Sequence, residues 1–198
     1  ICLTGSNGKT STKDFAAAVA ATRFKVNKTE GNLNNHIGLP LTILSAHSTD
    51  DVCVWEIGMN HAGEIEPLAR LAGPAIALIT NIGVAHIEFL GSRQAIAQEK
   101  GMLGEALPAG AVLVLPLADD FTPSLAARTK ARVVLAGGPD GLHAENLRPS
   151  AQGFDFDLVS GRERVAAHLP VTGEHMVRNA LLAVSAGLEL GLSLRECA

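Results

Sequence analysis

Tyrosine is absent from this 198-residue chain, and six phenylalanines and one tryptophan supply all its other aromatic rings. A core of any size must therefore be built from Ala, Val, Leu and Ile, which suits parallel strands buried on both faces. Charge is scarce too, with only 18% of residues Asp, Glu, Lys or Arg. The net charge is −4 and no dense Lys/Arg run occurs, which argues against nucleic acid or an anionic membrane surface as partner. There are only three cysteines, Cys2, Cys53 and Cys197, and no Cys-x-x-Cys pair. They read as buried free thiols in a reducing compartment. No secretory signal, apolar span of about 18 residues, internal repeat or low-complexity tract is present. The length fits one domain of ordinary to large size. The chain opens at Ile1, already inside a strand pattern, and is expected to be a piece of a longer protein.

What is present is an alternation of apolar runs and helical patterns. Strands are expected at 1–4, 24–27, 52–57, 75–80, 111–115 and 132–136, and helices at 13–21, 38–45, 63–71, 92–107 and 123–128. Repeated βα units imply an α/β fold with a mostly parallel, P-loop-type sheet flanked by helices. Ligands of such sheets bind beyond the C-terminal ends of the strands. After the turn cluster Gly137-Gly138-Pro139-Asp140-Gly141 the pattern changes. Phe154, Phe156 and Leu158 alternate with polar residues, as do Val165, Ala167 and Leu169. A small antiparallel sheet is therefore expected over about 144–170, followed by a helix over 174–190.

The richest stretch is Gly5-Ser6-Asn7-Gly8-Lys9-Thr10-Ser11, a glycine turn between an apolar strand and a helix. Backbone N–H groups of such a turn point at phosphate oxygens, and the helix N-terminus favours their charge. Lys9 is placed to reach the β- and γ-phosphates of a nucleotide, and the Thr10 hydroxyl to ligate Mg²⁺. The usual spacing would put a glycine at position 3, which is leucine, so the loop is a short form.

Other candidates carry two readings each. Glu56 ends an apolar strand and either holds Mg²⁺ or caps a turn and pairs with Lys9. His86 falls just past a strand end and is either a metal ligand or phosphate donor, or a plain loop residue. Asn32, Asn34, Asn35 and His36 either satisfy their own loop or bind a polar, phosphate-bearing ligand. His175 and Asn179 share a helix face that meets ligand or solvent. Periodicity alone makes Lys100 a solvated lysine paired with Glu99 or Glu105.

Taken together, these motifs resemble the Mur ligase family over essentially the whole chain, and within it the branch that adds D-alanyl-D-alanine. The short loop Gly5 to Ser11 fits that family. Gly31-Asn32-Leu33-Asn34-Asn35-His36-Ile37-Gly38-Leu39-Pro40 and Asn60-His61-Ala62-Gly63-Glu64-Ile65 are similar to signatures of that branch. The resemblance implies a central ATP-binding domain over residues 1–198, with the N-terminal UDP-binding and C-terminal domains outside it. It implies an ATP-dependent ligase of peptidoglycan precursor synthesis, acting through an acyl phosphate on UDP-N-acetylmuramoyl-tripeptide and D-alanyl-D-alanine. It further implies a cytoplasmic monomer.

The resemblance also assigns roles. Lys9, Lys100 and His86 are catalytic, and Thr10, Glu56, His86 and Lys100 surround Mg²⁺. Lys100 matches a lysine that is carbamylated in most of the family. Gly5 to Ser11, His175 and Asn179 hold ATP, with Asn179 at the adenine, and Thr29, Asn32 and Asn35 face the substrate. The family usually has His-Asn at the start of the adenine motif, whereas here His175 is followed by Met176. Another Mur-type ligase, folylpolyglutamate synthase and a non-catalytic nucleotide-binding module are the competing readings.

Overall fold

A computed structural model describes all 198 residues. In chain order the elements are β1 (Cys2–Thr4), α1 (Lys9–Ala20), β2 (Val26–Lys28), α2 (Gly38–Ser45), β3 (Val52–Glu56), α3 (Ile65–Ala72) and β4 (Ile76–Ile79). There follow α4 (Ile87–Leu90), α5 (Arg93–Glu105), β5 (Val112–Pro116), α6 (Thr122–Ala126) and β6 (Arg132–Ala136). The chain continues through β7 (His143–Ser150), β8 (Gly153–Ser160), β9 (Glu163–Leu169), α7 (Glu174–Glu189) and α8 (Leu194–Cys197).

Six strands form one parallel sheet in the order β2-β3-β1-β4-β5-β6. β1 lies near its centre, with Cys2 opposite both Trp55 and Ala77. The strand pleat sends alternate side chains to opposite faces. Leu3, Val54, Leu78 and Val114 enter one core, with α1, α7 and the small sheet. Cys2, Ala77, Ile79, Leu113 and Leu115 enter a second, with α2, α3, α5 and α6. Both faces are covered, as the aliphatic composition requires. The antiparallel sheet β7-β8-β9 turns Phe154, Phe156 and Leu158 into the first core.

Helices α1 and α7 meet through alanines, Ala16, Ala17 and Ala20 against Ala180 and Ala183. The approach is so close that a Cβ on Gly187 would lie 2.4 Å from Val19. No helix is long and apolar enough to cross a membrane.

The expected elements occur, with shifted ends. β2 covers Val26–Lys28 rather than 24–27, because Lys25 is tied to the turn before β3: its N–H donates to Asp51 and its carbonyl accepts from Asp51 and Val52. α1 begins at Lys9 rather than 13, directly on the glycine turn. α3 begins at Ile65 rather than 63, since Gly63 has φ +86°. The one-turn helices α4 and α8 were not expected.

Candidate functional site

The glycine turn joins the C-terminal end of β1 to α1 at the centre of the sheet. Gly5 is a site of close approach: a Cβ there would lie 1.9 Å from Thr80 Oγ1. Gly8 caps α1 in the left-handed region, φ +76°, and a Cβ on it would meet the Asn179 amide at 2.6 Å. The end of β4 clamps the turn. Thr80 Oγ1 donates to Asn7 O at 2.6 Å, Asn81 Nδ2 donates to the same oxygen at 2.9 Å, and Ser6 N donates to Asn81 O at 3.0 Å. Thr12 N donates to Gly8 O, so the helical N–H groups ahead of it have no intrahelical acceptor. No acidic residue occupies the first turn of α1. The helix itself therefore supplies no negative side chain to offset the positive potential at that end.

Lys9 Nζ donates to Gly5 O at 3.0 Å and folds back over its own loop. Burial lowers its pKa, and the Glu56 charge opposes that shift. Glu56, at the end of β3, is 2% exposed. Its Oε2 accepts from Thr10 Oγ1 at 3.0 Å and its Oε1 from Asn34 Nδ2 at 2.7 Å. Thr29 is fully buried behind it, with Thr29 Oγ1 accepting the Glu56 N–H at 2.9 Å. Thr29 O accepts from Lys13 Nζ, so this threonine holds β3 and α1 in place and does not face the opening.

In front of Lys9 lies a polar cavity of about 250 Å³, lined by Asn32, Asn34, Asn35, Asn60 and His86. Asn35 Oδ1 accepts from the N–H groups of Ile37 and Gly38 at the start of α2, so half of its amide serves the helix. His86 adopts φ +65°, rare for a residue with a side chain, and starts α4. Burial and the Lys100 and Lys9 charges lower its pKa. A second cavity of similar volume, on the far side of Gly8, is lined by Thr80, Asn81, Asp119, His175, Arg178 and Asn179.

Residues 3–187 match the family model for the Mur ligase middle domain. The chain belongs to the Mur ligase family. It is 39% identical over 198 residues to the UDP-N-acetylmuramoyl-tripeptide--D-alanyl-D-alanine ligase of Bacillus subtilis, which covers all of this chain but 43% of that protein. A crystal structure of MurF from Acinetobacter baumannii superposes with a TM-score of 0.94 at 33% identity, over 99% of this chain and 44% of that one. MurF from Thermotoga maritima, solved in complex with ADP, shares the fold with a TM-score of 0.87 at 24% identity, over 97% of this chain and 45% of that one. The chain thus spans less than half the length of each of these three relatives.

In this Mur ligase domain Lys100 departs from its periodicity-based reading. It is 0% exposed and not solvated. Glu99 turns its carboxylate to the backbone of residues 63–65, and Glu105 pairs with Arg128, so neither neutralises it. Burial, then the Lys9 charge, pulls its pKa down to about 7, against a smaller opposing effect of Glu99. No group of three His, Cys, Asp or Glu side chains is assembled around a metal position. Glu56 and the Thr10 hydroxyl are the oxygen donors brought together, the hard type that Mg²⁺ takes. Asn34 was a candidate only as one of the loop amides, indistinguishable from its neighbours, and no sequence signal marked Thr80, Asn81 or Glu99. Asn81 and Glu99 act through backbone groups remote in sequence.

Proposed function

We propose that residues 1–198 are the central ATP-binding domain of a ligase that joins D-alanyl-D-alanine to UDP-N-acetylmuramoyl-tripeptide. The supporting observation is the meeting of Lys9 and Thr10 with Glu56 and Asn34 beneath an amide-lined cavity. In this reading the α1 N–H groups and Lys9 cradle the β- and γ-phosphates. Thr10 and Glu56 hold Mg²⁺, which when bound neutralises phosphate charge. His175 and Asn179 line the base side, across Gly8. The substrate carboxylate lies among Asn32, Asn35, Asn60 and His86, opposite the γ-phosphate. It displaces ADP to give an acyl phosphate, which the dipeptide amine then attacks with loss of phosphate. Positioning and electrostatics supply the catalysis.

Lys100 suits its place in this scheme because burial and the Lys9 charge pull its pKa down and so favour the neutral amine. A neutral amine is the form that adds CO₂, and carbamylation would turn a buried cation into an oxygen ligand.

Phosphate release by the full-length ligase is the test, with Mg-ATP, D-alanyl-D-alanine and a panel of UDP-muramoyl-tripeptides, and folate plus glutamate as control. Phosphate and amide product that require both D-alanyl-D-alanine and a UDP-muramoyl-tripeptide are expected. Turnover only with folate, or only with a shorter muramoyl peptide, would reassign the substrate. The 198-residue chain alone is expected to bind Mg-ATP weakly and to form no amide bond.

A further inference from the structure

Helix α3 lacks a cap of its own: Glu64, at its N-cap, makes no side-chain capping bond. The cap comes from another helix. Glu99, on α5 and 6% exposed, accepts the N–H of Gly63 at 2.8 Å through Oε2, and those of Glu64 and Ile65 at 2.9 Å each through Oε1. A buried carboxylate with three N–H donors is a strong, directional fastening. It joins the helix that carries Lys100 to the loop that follows β3.

That loop forms part of the polar cavity. Glu64 Oε2 accepts the Asn60 N–H at 2.7 Å, and Glu64 Oε1 lies 3.3 Å from His61 Nδ1. The His61 ring packs on Phe89 at 5.2 Å between centroids, and Phe89 N donates to His86 O. A line of contacts therefore runs from Glu99 through the turn at 63–65 to Asn60 and to the segment bearing His86. The glycine turn that faces the phosphates stands outside this line, clamped by Thr80 and Asn81.

We infer that Glu99 is a positioning residue for the carboxylate substrate: by pinning the 63–65 turn it sets Asn60 and His86 against Lys9. The inference rests on the proposed ligase reading. It predicts a split between substrates, since Asn60 and His86 are placed with the substrate carboxylate, whereas the glycine turn that holds most of the nucleotide is clamped separately by Thr80 and Asn81.

The test uses the full-length ligase and its Glu99→Gln variant, whose amide offers one acceptor oxygen to three donors. Amide hydrogen exchange at Gly63, Glu64 and Ile65 is expected to accelerate about tenfold or more. The KM for the UDP-muramoyl-tripeptide is expected to rise roughly fivefold or more while that for ATP stays within about twofold. Unchanged exchange at these amides would overturn the fastening. A fall in kcat with both KM values unchanged, or an equal rise in both, would reduce Glu99 to a general stabiliser and overturn the positioning role. Glu99→Asp, which keeps the charge but shortens its reach, gives the same comparison if the glutamine variant fails to fold. Absence of ligation by the unmodified enzyme would count against the ligase reading alone, because the exchange arm still decides whether Glu99 pins the turn.

Discussion

Lys9 bridges two tasks. It satisfies the carbonyl of Gly5, and in the proposed complex it turns to phosphate. Lys9→Ala is expected to abolish measurable Mg-ATP binding by titration calorimetry while leaving the unfolding temperature nearly unchanged, since only a partly exposed bond is lost. Lys100 gives a prediction with a definite sign. Its pKa falls from 10.5 unfolded to about 7 folded, so between those values the unfolded chain holds the extra proton. Stability must then rise with pH from about 7 towards 10.5 on account of this group. Lys100→Met, in nucleotide-free protein, is expected to flatten that slope and to gain most stability below pH 7, read by urea denaturation across a pH series. Lys9, Thr10 and Glu56 were legible in the sequence because strand ends and a glycine turn mark them locally. Lys100 was not, because helical period says which face a residue occupies and cannot say that the fold buries that residue completely, within reach of the Lys9 and His86 charges. Asn34 was one amide among several until the fold pointed it at Glu56.

Helix α5 presents Lys100 and Glu99, and its start is fixed by Ser92, whose Oγ accepts the Ala95 N–H at 3.1 Å. Ser92→Ala is expected to lower the unfolding free energy by about 1 kcal/mol, measured by chemical denaturation. At the glycine turn the expectation is harsher. Gly8→Ala forces a left-handed backbone on alanine and drives its Cβ into Asn179, so nucleotide binding is expected to disappear even where the chain still folds. The order and type of the long elements could be read from hydrophobic period alone. The ends could not: the start of β2 depends on a turn bonded from Asp51, and α4 depends on His86 adopting a left-handed backbone, neither of which leaves a mark in the pattern.

At the scale of the whole molecule, the outer face of α2 stands out. Ile37, Leu41 and Leu44 are 63%, 53% and 81% exposed and lie along one stripe. The 198-residue chain is therefore expected to self-associate at high concentration, and Leu41→Lys with Leu44→Glu to raise its solubility without altering Mg-ATP binding, followed by sedimentation velocity and calorimetry. The alanine-faced pairing of α1 with α7 reaches further. Helix α1 is complete at Ala20, whereas α7 begins only at Glu174. During translation at about 5–20 residues per second, its face waits on the order of ten seconds for its cover. Throughout that interval the nascent chain offers an open apolar groove, and until β6 is made the parallel sheet beside it is still missing strands. A ribosome-bound chaperone has its time of greatest use there, and codon changes that slow passage between β2 and α7 would lengthen the danger without altering one atom of the finished protein.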